Sequence, residues 1–97
     1  MHFIAHIDLA PGHSPAELGP LRDAEDHAVR ALVRRGIVTA PFMRTDRPGA
    51  IFLMSADSEG HARSTLAALP AVEAGIIAVT TVTPLALHAA HPDFRAA

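Results

Sequence analysis

The stretch from Leu21 to Gly36 constrains the fold more than any other, because it is the longest run with a single helical period. At about 100° per residue, Leu18, Leu21, Ala24, Ala28, Val29 and Leu32 share one apolar stripe. Asp23, Asp26, His27, Arg30 and Arg34 share the opposite face, where Asp23/His27 and Asp26/Arg30 have the i,i+4 spacing of helix-surface pairs. That face is read as the solvated one. The stripe has to be buried against a sheet or a second helix, and Glu25 falls in its middle, flanked by Leu21, Ala28 and Leu32. A carboxylate drawn out of water must find donors, a cation or a proton. Two readings therefore stand: Glu25 is half of a structural ion pair, for which Arg22 lies beside the stripe, or it is an acid/base group at the edge of the core.

The flanking segments supply the sheet. His2 to Leu9 alternates, with Phe3, Ala5, Ile7 and Leu9 on one face and His2, Ile4, His6 and Asp8 on the other, which predicts a strand. Ser14-Pro15-Ala16-Glu17 has the form of a capping box with proline at the first helical position, and Pro20 predicts a kink or restart before the main helix, which Gly36 ends as a left-handed cap. Ile37 to Arg44 reads as a second strand, confined to a sheet edge or broken by Pro41. The turn residues of 45–49 lead into Ala50 to Ser55, an apolar run without alternation and hence a strand covered on both faces. Asp57 or Ser58 caps a second helix through Leu69, stopped by Pro70, and Gly75 to Thr83 is a β-branched fourth strand.

The resulting order, βαββαβ, predicts an α+β fold of the ferredoxin-like type, with the second and fourth strands at the sheet edges. Helices cover one face of such a sheet. The face carrying Ile4 and His6 then needs another cover, and a second copy of the sheet is the simplest one, giving a dimeric α/β barrel. At 97 residues the chain is one domain, 1–97, with 88–97 as a tail, and it is near the size at which association helps to bury enough surface.

Composition narrows the function. The chain is 49% hydrophobic but 4% aromatic, carries a net charge of -2, and all eight of its basic residues are arginine, so neither stacking on bases nor a basic phosphate-binding surface is expected. No nucleic-acid partner is predicted. Without cysteine there is no disulfide framework or thiolate chemistry, and no targeting segment or membrane span is read from the chain, so a cytoplasmic protein is expected. Seven histidines raise the question of a metal. His2 and His6 stand about 13 Å apart on an extended strand at ~3.3 Å per residue, His88 and His91 lie in the tail, and no cluster has ligand spacing. No metal and no cofactor are predicted.

Glu25 with Gly36 eleven residues on, Arg44, an Asp57/Ser58 helix start, Leu69-Pro70, and Val82-Thr83-Pro84-Leu85 followed by His88 together resemble the pattern of the muconolactone delta-isomerases of the dimeric α/β-barrel superfamily, over nearly the whole chain. Where that family usually has an aromatic-rich Trp-Arg segment, Ala40-Pro41-Phe42-Met43-Arg44 stands here. The YciI-like sister family resembles the chain at Pro70 to Gly75, but has a histidine at the position of Glu25 and an aspartate at that of Leu69, so the helix favours the isomerases. The resemblance implies a cofactor-independent isomerase of aromatic-compound catabolism that shifts a double bond in an unsaturated lactone, with Glu25 as acid/base, in a homodimer or higher assembly.

For that chemistry Arg44, at the end of the second strand and assigned to the side of Val38, Ala40 and Phe42, is a candidate clamp for a substrate carboxylate. Its other reading is a solvated strand-end charge. His6 is a candidate pocket donor or a dimer-interface histidine, and Arg22 a candidate partner of Glu25 or of substrate. Two alternatives stand beside the isomerase: a non-catalytic binding or structural protein of the same fold, and another cofactor-free enzyme such as a cyclase or oxygenase of polyketide-like substrates. A closed core around Glu25, or an arginine locked onto it with no adjoining cavity, supports the first. A wide apolar pocket with no cation for a carboxylate points to the second.

Overall fold

The computed structural model describes residues 1–96 and consists of four antiparallel strands with the helices on one side. Strand β1 (His2–Leu9) is followed by a 3-10 helix (Pro15–Leu21), α1 (Arg22–Arg34), β2 (Val38–Met43), β3 (Gly49–Ser55), α2 (Glu59–Ala67), the single-turn α3 (Pro70–Glu73) and β4 (Ile77–Leu85). The sheet order is β2-β3-β1-β4, which puts β2 and β4 at the edges and is compatible with the ferredoxin-like arrangement. Pro41 thus sits on an edge strand, where its missing N–H costs least.

The alternation of β1 becomes two chemically different sheet faces. Phe3, Ala5 and Ile7 are buried and oppose Met54, Phe52 and Ala50 of β3; with Val82, and with Leu32, Ala62 and Leu66 from the helices, they form the core. Ile4, His6 and Asp8 oppose Leu53, Ile51 and Gly49 on the other face. Helix α1 ends as expected: Gly36 adopts φ +75°, its N–H donates to the Val33 carbonyl at 3.0 Å, and the Ile37 N–H donates to the Leu32 carbonyl at 3.0 Å. Ahead of it, Glu17 Oε2 accepts the Ser14 N–H at 2.6 Å, and the 3-10 helix runs through Pro20 to Leu21 and directly into α1, so the expected kink or restart at Pro20 takes the form of a change from 3-10 to α geometry.

Several expectations need correction. A β-bulge lies between Val38 and Ala40 in β2, so Val38 pairs with core-facing Met54, whereas Ala40 pairs with Leu53 on the opposite face. Val38 therefore does not share a side with Ala40, Phe42 and Arg44. The hydroxyl of the extra residue, Thr39, donates to the Leu53 carbonyl at 3.2 Å. A second bulge, at Thr80, shifts β4 against β1 between His6 and Ile7; its hydroxyl lies 2.7 Å from Asp8 Oδ2 and 3.2 Å from the His6 carbonyl. Helix α2 stops at Ala67, and Pro70 begins α3 as its first residue instead of simply ending a helix. The pairs Asp23/His27 and Asp26/Arg30 are not ion pairs among the described residues. Of the tail, Ala97 lies outside the described residues; His88 and His91 each accept, through Nδ1, a backbone N–H two residues on, at 3.0 Å.

Candidate functional site

On the helix side of the sheet, the 3-10 helix and the first half of α1 stand away from the ends of β1 and β3 and leave a cleft of about 670 Å³. Its floor is hydrocarbon from the sheet, including Ile7, Leu9, Phe52 and Ile77. Leu18 and Leu21 come from the 3-10 helix, and Pro41 and Met43 form the lip on β2. Helix α1 supplies the polar wall. Glu25 and Val29 lie in one helical row, and Arg22, Asp26 and Arg30 in the next, so that the latter three line the cleft instead of facing away from it. Asp26 and Arg30 are exposed, as expected of a solvated face, but that face borders the cleft instead of lying opposite it.

Glu25 is half-buried in this wall, as its place in the stripe predicts. Its partner is not an arginine. Oε1 accepts the backbone N–H of Ala71 at 2.9 Å, across a separation of 46 residues. Ala71 is the second residue of α3, where helical N–H groups have no acceptor within the helix, and Glu25 supplies one from a neighbouring element. Among the described residues no donor reaches Oε2 and no buried side-chain oxygen is left without a partner, so Oε2 is accessible, on a residue that lines the cleft. The carboxylate is thus fixed at one oxygen and free at the other.

Arg22, one turn before Glu25, shares the cleft with it and forms no ion pair among the described residues. His6 and Arg44 do not line the cleft. His6 projects from the other face of β1, opposite Ile51 and Thr81. Arg44 bonds through its backbone N–H to the Gly49 carbonyl at 2.9 Å and sits beside Asp8 on that same face. Its guanidinium is held in its own turn, Nε to Asp46 Oδ1 at 2.9 Å and Nη2 to Asp46 Oδ2 at 2.7 Å. These charge-assisted bonds raise the arginine above its ordinary value and hold the Asp46 carboxyl down to about 2. The sheet thereby separates the four candidates into two pairs, Glu25 with Arg22 and His6 with Arg44.

Arg30 was missed by sequence reasoning, because a helical wheel assigns it to the face opposite the stripe. The available signal was its place in the i,i+4,i+8 row that begins at Arg22. Among the described residues no group of three or more His, Asp or Glu side chains is placed to hold a metal ion, and no helix is long and apolar enough to cross a membrane. No protein-family model matches the chain, and no curated protein matches it.

Proposed function

We propose that the protein is a cofactor-independent isomerase of the muconolactone delta-isomerase type, acting in the cytoplasm on an unsaturated lactone, with Glu25 as the group that moves the proton. The observation that carries this reading is the carboxylate of Glu25 in the polar wall of a cleft with an apolar floor, tied down through Oε1 and without a partner at Oε2. Pre-positioning of this kind lets a base meet a carbon acid without first reorganising. Oε2 takes a proton from the saturated carbon at the far end of the conjugated C=C–C=O system, and the C–H electron pair passes through the double bond into the carbonyl as a dienolate. The neutral acid then returns the proton one vinylogous position away, and the carboxylate is regenerated. Hydrogen and electrons balance within substrate and Glu25. The developing negative charge gains from a cation placed beside it, and Arg22, one of two cations that line the cleft, serves it.

The test is incubation with muconolactone and related butenolides in deuterated water, following carbon-bound exchange and double-bond migration for the wild type and for Glu25→Gln. Wild-type exchange reduced at least 10²-fold in the variant, the lower end of what a positioned acid/base contributes, supports the assignment. No exchange in any such compound, or equal rates, removes it.

A second reading, a binding protein without chemistry, is favoured by the bond from Ala71 to Glu25, which by itself gives this carboxylate a structural task. Equal exchange rates together with retained lactone binding would select it. The cyclase or oxygenase reading is weakened by the arginines of the cleft wall.

We further propose that two copies pair sheet to sheet as a dimeric α/β barrel. Support comes from the helix-free face, which carries Ile4, Ile51 and Leu53 only half-buried.

A further inference from the structure

From the two arginines at the cleft mouth we infer that this cleft takes an amphipathic monoanion with an apolar body larger than a single lactone ring, and that Arg30, with Arg22, fixes its acid group. The inference rests on the cleft being the ligand site, and it does not depend on proton transfer there.

Charge and size carry it. Arg22 and Arg30 both line the cleft, stand on one helical row and, among the described residues, have no carboxylate partner and donate no side-chain hydrogen bond. Arg44, Arg47 and Arg63 each hold an acidic side chain, and Arg34 and Arg35, which hold none either, lie outside the cleft. Two unengaged guanidiniums on the polar edge of an apolar cavity match a carboxylate or sulfonate, which such forks bind through paired N–H donors. Asp26, between them on the same row, adds one negative charge at the mouth and so disfavours a second anionic group on the ligand. The cleft, at about 670 Å³, falls among the roughly 300–1,000 Å³ pockets that bury drug-sized ligands. A single five-membered ring with a short acid arm leaves most of it empty. The floor of Ile7, Leu9, Phe52 and Ile77 asks for a hydrocarbon or fused-ring body in that space.

The experiment titrates the full chain with 2-naphthaleneacetate, with its neutral amide, and with a five-membered unsaturated lactone acid, by calorimetry. Wild type, Arg30→Gln, Arg22→Gln and the surface control Arg34→Gln, which lies on α1 away from the cleft, are compared. Expected are tighter binding of naphthaleneacetate than of either comparison compound and a five- to tenfold weakening in Arg30→Gln, on the scale of one charged hydrogen bond near a surface. Arg34→Gln is expected to bind as the wild type, and the amide to bind equally to all four proteins. Thermal unfolding of each variant checks that the fold is retained. Equal affinity for acid and amide, unchanged binding in both cleft variants, a preference for the small lactone acid, or no binding of naphthaleneacetate overturns the inference. Because binding alone is read, a failure here is distinct from a failure of the isomerase reading, which is decided by carbon-bound exchange.

Discussion

Glu25 is asked to do two things with two oxygens, and substitutions separate them. Oε1 satisfies the N–H of Ala71, a fully buried residue. Glu25→Ala leaves that donor without a partner and is expected to cost about 1–2 kcal/mol, the scale of an unpaired buried polar group. Glu25→Gln keeps a carbonyl oxygen in reach and should unfold within about 0.5 kcal/mol of the wild type, since the acceptor is retained. Urea denaturation of the two variants measures the difference; equal losses would mean that the bond to Ala71 does not hold α3. The same contrast shows why Gln is the proper substitution for the chemistry. The inward position of Glu25 was legible in the sequence from its place in the stripe. Its partner was not, because a backbone N–H 46 residues away carries no side-chain signal.

At the scale of elements, the strands and the cap of α1 were readable because each is a local matter: alternation in β1, proline on the edge strand β2, glycine at +75° after α1. The bulges were not readable. One extra residue, Thr39, turns Ala40, Phe42 and Arg44 to the helix-free side, and nothing in 37–44 announces it. That single residue decides that Arg44 cannot share the cleft with Glu25 and instead closes the β2–β3 turn onto Asp46. The turn has its own pH signature. The Asp46 carboxyl is depressed from 3.8 to about 2, first by the hydrogen bonds from Arg44, so the pair stabilises the folded turn above about pH 3.8 and is lost as pH falls toward 2. In NMR titrations the Asp46 carboxyl should have its midpoint near 2, and Arg44→Gln should move it up toward the ordinary value. A midpoint near 3.8 in the wild type would mean that the pair is not held in solution.

On the scale of the whole molecule, the four-stranded sheet is a partition. One side carries the core, the cleft, Glu25 and the two cleft-lining arginines of α1; the other carries His6, Asp8 and Arg44 among half-buried aliphatic side chains. The proposed sheet-to-sheet dimer assigns the second side to a partner copy, and predicts a sedimenting species of about twice 10.2 kDa at micromolar concentration. Leu53→Arg, on that face, should halve the mass without unfolding the chain; a monomeric wild type would refute the pairing. Element order made the sheet foreseeable, but a wheel and an alternation pattern rank residues within an element and do not say which elements share a cavity. His6 and Arg44 were therefore grouped with Glu25, and Arg30 was left out. The central claim is that ligand enters on the Glu25 side. It is tested most directly by following backbone amide shifts during titration with muconolactone. The account predicts that the largest changes fall on Val29, Arg22 and Ile77, which line the cleft, and on Ala71, whose N–H is bonded to Glu25, with His6 and Thr81 unmoved. Changes confined to His6, Thr81 and the Arg44 turn, or no changes at all, would contradict it.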